Sequence, residues 1–180
     1  MRLSDEQYEE IKQTVIDTFV AYDVKGIPIN GFELATKMGI TIVPYSSLKK
    51  EQRRAAEKLS PDGFSLEIGK KWTIYYNNNC QNYGRINQTI MHEIGHYVLG
   101  HTDDSEIEES EAKFFAKYAL APPPLVHTMQ DPINPTTIRN VFDISLEAAG
   151  YAYKYYNNWL QCGDKFTTYE KKLIALFDAA

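Results

Sequence analysis

His92-Glu93-Ile94-Gly95-His96 decides how the rest of the chain is read. Residues four apart in an α-helix stand on one face, so both imidazoles can reach a single metal ion. Glu93 projects beside them, placed to take a proton from water without serving as a ligand. This holds only on a helix, and Gln88–Leu99 reads as one. Met91, Ile94 and Val98 fall on one side, Ile90 and Tyr97 on another. A helix apolar nearly all round is expected to be buried, and buried histidines need polar partners. Gly95 costs a helix up to ~1 kcal/mol relative to alanine, so it predicts close approach by another element. Gly100 reads as the helix stop.

The pattern is HExxH, that of zinc metallopeptidases, and catalytic zinc takes three protein ligands plus water. Ser105 to Ala121 reads as the helix that supplies the third. It offers Glu106, Glu108, Glu109 and Glu111. Counted at 100° per residue, Ala112, Ala116 and Leu120 share the face of Glu109. The alanines allow tight packing against the HExxH helix, over Gly95. Glu111 falls on nearly the opposite side, with Phe114 and Tyr118. The geometry therefore selects Glu109 over Glu111. Glu106 and Glu108 read as solvated carboxylates favoured at a helix start.

Three blocks carry a family resemblance. Arg85-Ile-Asn-Gln-Thr-Ile-Met-His-Glu-Ile-Gly-His-Tyr-Val-Leu-Gly-His101 resembles the active-site helix of the ImmA/IrrE metallo-endopeptidases, gluzincin-like HExxH zinc peptidases. Glu109-Ser-Glu-Ala-Lys-Phe-Phe-Ala116, ending near Pro122, resembles that family's glutamate helix. Val141-Phe-Asp-Ile-Ser145, followed by Ala148, resembles its C-terminal segment. The similarity covers Gly26 to Asn158. It implies an intracellular regulatory protease that cuts a helix-turn-helix repressor and releases mobile-element or stress genes. One position departs. The residue four after the ligand glutamate is usually Asn or Asp in the family and can support a ligand histidine. Here it is Lys113, and Asp103 or Asp104 is the expected substitute.

Composition suits a soluble cytoplasmic enzyme. The 180 residues predict one metallopeptidase domain, 1–180, of three parts: N-terminal helices and a small sheet (1–83), metal-site helices (84–121) and C-terminal helices (122–180). Cys80 and Cys162 have no metal-type spacing and read as free thiols, which suits a reducing compartment. No signal peptide and no membrane-length apolar run is seen. A net charge of −5 argues against a phosphate-binding surface.

The N-terminal half reads as scaffold. Ser4 and Gln7 form a capping box ahead of Tyr8, Ile11, Val15, Phe19 and Tyr22 at helical spacing. Asn30–Met38 reads as a short helix, Ile40–Tyr45 as a strand, and Leu48–Leu59 as an exposed helix. Phe64, Leu66 and Ile68 alternate with polar residues in a strand that a turn at Gly69-Lys70 joins to Trp72–Tyr76. The chain is expected to break at Pro122-Pro123-Pro124 and resume as helices near Thr136–Phe142, Ser145–Leu160 and Thr167–Asp178. The fold class is α+β, zincin-like: a small antiparallel or mixed sheet packed on the HExxH and glutamate helices, with a helical C-terminal part.

The expected site follows. His92, His96 and Glu109 hold Zn²⁺, and Glu93 moves the proton. His127, Tyr97 and Tyr118 are the candidate oxyanion donors, with His127 favoured. His101, at about 180° from His92 on a continuous helix, reads as a surface or C-cap residue. An edge strand can bind an extended peptide by backbone pairing. Two other classes compete. A non-catalytic zinc-binding sensor module needs no Glu93. A DNA-binding regulator is suggested by the helix-turn-helix-like Phe32–Ile40, but no basic recognition helix follows, so this segment reads as core-facing.

Overall fold

Ser4 opens the first helix, α1 (Asp5–Ala21), as its capping box predicts. Its hydroxyl accepts from the Gln7 N–H at 3.2 Å, and the Gln7 side-chain oxygen accepts from the Ser4 N–H at 2.9 Å. The computed structural model describes residues 2–79, 82–102, 105–162 and 166–179. α1 buries Ile11, Val15, Ile16 and Phe19. Asn30 then caps α2 (Gly31–Lys37), which Gly39 ends in a left-handed turn at φ +74°. Leu34 and Ala35 of α2 are fully buried, so the helix-turn-helix-like segment spends its apolar face in the core.

The sheet is mixed, in the order β1-β3-β2. β1 (Thr41–Pro44) runs parallel to β3 (Lys71–Tyr76), and β2 (Gly63–Ile68) pairs antiparallel with β3 across the Gly69 turn. A 3-10 turn (Tyr45–Ser47) and α3 (Lys50–Leu59) link β1 to β2. β2 therefore forms one edge. Its alternation puts Phe64 against the Tyr75 ring, 5.1 Å between centroids, and turns Ser65 to the opposite face. A Cβ at Gly63 would stand 2.7 Å from both the Tyr75 carbonyl and the Thr89 side chain, so only glycine lets β2 start this close to the HExxH helix.

That helix, α4, runs Tyr83–Leu99 and is capped by Asn82. It starts five residues before the expected Gln88, because its first turn shows no apolar periodicity and only the cap marks it. Asn87, in that first part, ties α4 to α2. Its side-chain oxygen accepts from the Gly31 N–H at 2.7 Å, and its amide donates to the Ile29 carbonyl at 2.9 Å. Ile90, Met91 and Ile94 are fully buried. The side carrying Tyr97 is not: Tyr97 is 40% exposed and lies on Trp72. The expected burial all round thus holds for most of the surface of α4 and fails there.

α5 (Glu106–Leu120) packs along α4. The close approach that Gly95 predicts is made by Phe115. A Cβ on Gly95 would meet Phe115 carbons at 3.1–3.2 Å. The three prolines do not simply break the chain. Pro122 caps a short helix, α6 (Pro123–His127), whose first turn needs no amide donors and so tolerates proline. α7 (Pro135–Phe142), α8 (Leu146–Gln161) and α9 (Thr168–Asp178) follow. α9 packs on α1, which in turn packs on α5. Among the described residues no helix is long and apolar enough to cross a membrane. Cys162 is a free, exposed thiol, while Cys80 lies outside the described residues. The architecture is α+β, with two metal-site helices beside a three-stranded mixed sheet in a zincin-like arrangement.

Candidate metal centre

His92 and His96 stand one turn apart on α4, with their Nε2 atoms 3.1 Å from each other. α5 brings Glu109 Oε1 to 3.3 Å from His96 Nε2 and 3.7 Å from His92 Nε2. Donors about 2.0–2.2 Å from a tetrahedral zinc ion lie roughly 3.3–3.6 Å apart. The sides of the triangle, 3.1, 3.3 and 3.7 Å, bracket that range, and two imidazoles with one carboxylate are a donor set that suits zinc. The residues present therefore fit the metal that the HExxH pattern implies.

The electrostatics favour ligation. Burial, reinforced by the neighbouring His96, pushes His92 down to about 4, so its ring is neutral at physiological pH. The Ala112 backbone on α5 beside the ring and the Glu109 carboxylate offset only part of this. Burial alone would raise the Glu109 carboxyl. Lys113 and the two histidines outweigh it and hold Glu109 below the usual carboxylate range. Lys113 Nζ lies 3.1 Å from Glu109 Oε2. The departure at this position thus supports the carboxylate ligand rather than a histidine. Asp103 and Asp104, the expected substitutes, lie outside the described residues.

Glu93 is buried beside the triangle, and Ser65 of β2 donates a hydrogen bond to its Oε2 at 2.6 Å. Nothing in the sequence pointed to Ser65 beyond its place on the polar face of an edge strand. A cleft of about 950 Å³ runs past these groups, lined by Phe64, Ser65, Leu66 and Glu67 of β2, by Trp72, and by His92, Glu93, His96, Glu109 and Lys113.

His101 is not at the surface. Gly100 adopts a left-handed conformation (φ +70°), and the His101 N–H bonds back to the His96 carbonyl at 3.0 Å. The phase count assumed a helix continuing past Gly100; the reversal folds the ring under His96 instead. His101 Nδ1 lies 3.0 Å from His96 Nδ1, and His101 Nε2 lies 3.0 Å from Glu111 Oε2. The His101 side chain is 6% exposed. Glu111 also accepts from Gln7 Nε2 at 2.9 Å. Its carboxylate is thus turned away from the donor triangle and reaches His96 only through His101.

His127 is not brought to the site. It is exposed at the end of α6, its Nδ1 lies 3.0 Å from the Tyr156 hydroxyl, and its ring packs near Trp159 and Phe166. Neither it, Tyr97 nor the buried Tyr118 lines the cleft.

Residues 35–154 match the peptidase family model described as the IrrE N-terminal-like domain. No curated protein matches the chain at a significant level. The match takes in the HExxH helix, the glutamate helix and the sheet, and it spans most of the chain, which accordingly belongs to the IrrE N-terminal-like family of metallopeptidases.

Proposed function

We propose that the protein is a zinc-dependent endopeptidase that cuts a specific intracellular protein, a helix-turn-helix repressor being the expected substrate. The observation that carries the catalytic part is the donor triangle of His92, His96 and Glu109 with Glu93 beside it, opening on a cleft bordered by an edge strand. A zinc ion held by the triangle would lower the pKa of a coordinated water toward ~7 and polarise the scissile carbonyl.

The chain's own groups do the rest. Glu93 accepts the proton of the attacking water and delivers it to the leaving amine nitrogen. Ser65 holds the Glu93 carboxylate during both transfers. β2 offers its unpaired edge to an extended peptide, which favours a substrate cut in an exposed linker over one cut in a helix. Leu66, 46% exposed at the cleft, provides apolar surface for a substrate side chain. The family membership supports the regulatory reading, in which a partner repressor in the cytoplasm is the target.

Co-expression with a repressor encoded beside the gene tests this. Wild type should yield one discrete cut, and Glu93→Gln should bind zinc and the partner yet leave it intact. Equal cleavage by both would remove Glu93 from the mechanism. Zinc binding with no cleavage of any partner would favour the sensor module instead.

A further inference from the structure

The metal ligand His96 is the first member of a hydrogen-bonded row that ends at the N-terminus of the fold. Its Nε2 belongs to the donor triangle, and its Nδ1 lies 3.0 Å from His101 Nδ1. His101 Nε2 lies 3.0 Å from Glu111 Oε2, and Gln7 Nε2 donates to Glu111 Oε1 at 2.9 Å. Gln7 is the capping-box residue of α1. α1 lies before the segment that matches the family. The row therefore ties a metal ligand to a helix outside that segment.

With both rings neutral, donor and acceptor roles along the row follow from one end. A carboxylate only accepts, so a neutral His101 carries its single proton on Nε2. A neutral imidazole with Nε2–H has a lone pair on Nδ1 and can only accept there. The partner at 3.0 Å is then a donor, so His96 carries its proton on Nδ1. Its Nε2 lone pair is left directed at the triangle. The opposite tautomer of His96 would aim a proton there and block ligation.

We propose that His101 and Glu111 are positioning residues that set the His96 tautomer and ring orientation for metal binding, with Gln7 holding Glu111. The inference rests on the metal-site reading above, and it concerns the metal-free protein as much as the loaded one. It also accounts for a burial that composition does not explain: a histidine just past a helix end with its side chain 6% exposed.

The test is long-range ¹⁵N–¹H NMR of the histidine rings in zinc-free protein, paired with zinc affinity by chelator competition. Wild-type His96 should show the Nδ1–H tautomer before any metal is added. In His101→Phe, which keeps the bulk and loses the bond, His96 should shift toward Nε2–H and zinc affinity should fall ~10–100-fold. Glu111→Leu should do the same. Glu111→Gln, whose amide oxygen can still accept from His101, should restore the wild-type tautomer and most of the affinity.

A wild-type His96 in the Nε2–H form would overturn the proposal. So would unchanged tautomer and affinity in His101→Phe. The wild-type spectrum needs no variant, so it decides the matter even where a substitution unfolds the chain. A wild type with the expected tautomers that binds no zinc would sink the metal reading and leave the row standing.

Discussion

Ser65 Oγ donates to Glu93 Oε2 across 2.6 Å, joining the edge strand of the sheet to the acidic residue of the HExxH helix. A hydrogen bond to a charged group contributes about 1.5–3 kcal/mol. Here it fixes the carboxylate within the cleft that the donor triangle also lines. Ser65→Ala should lower kcat about tenfold, with KM and zinc content little changed, because backbone pairing on β2 does not need the hydroxyl. Ser65→Thr should recover most of the rate. A change confined to KM would mean that Ser65 serves substrate binding instead.

Gly95 is where α4 receives the Phe115 side chain of α5. An alanine there gains helix propensity of up to ~1 kcal/mol. Its Cβ would press on the fully buried Phe115 at 3.1–3.2 Å. Overpacking of this kind costs roughly 1–3 kcal/mol. Gly95→Ala should therefore lower Tm by a few degrees and weaken zinc, since α5 carries Glu109. A thermal melt with metal competition checks both. An unchanged Tm with unchanged affinity would show that Phe115 moves aside freely.

Glu109 and Glu111 sit two residues apart on α5 and have different partners. Glu109 reaches both imidazoles, while Glu111 reaches His101 and Gln7. Glu109→Gln should cost more zinc affinity than the ~10–100-fold typical of losing an outer partner of a ligand, and Glu111→Gln should cost little. Chelator competition on the two variants decides it. Equal losses would mean that Glu109 is not a direct ligand.

Generic substrates should be poor. The cleft is built around one edge strand, and β2 contributes only Gly63–Ile68 to present a peptide. Casein digestion by the wild type should be slow or undetectable under conditions where the cognate partner is cut once. Rapid, sequence-indifferent digestion would contradict the regulatory reading while sparing the peptidase one.

Much of this arrangement was legible because local patterns and packing agreed. The i, i+4 histidines, the capping boxes and the period-2 strands each specify geometry within a few residues. Counting along α5 puts Glu109 on the side facing the two imidazoles, where the structure has it, because that helix is regular throughout. The same counting failed for His101, since one left-handed residue, Gly100, reverses the chain and no phase survives it. Ser65 escaped notice because its role depends on the register between β2 and α4, which only tertiary packing sets. His127 was proposed from its nearness to the prolines in sequence. The short helix they start instead carries it to the aromatic side chains of α8.

Zinc content after reconstitution and exhaustive dialysis tests the central claim most directly. The wild type should retain about one zinc per chain, since three convergent ligands make one site. His92→Ala and His96→Ala should retain none above background, with their folds intact by circular dichroism. A wild type without zinc, or a His92→Ala variant that still holds a full equivalent, would contradict the account.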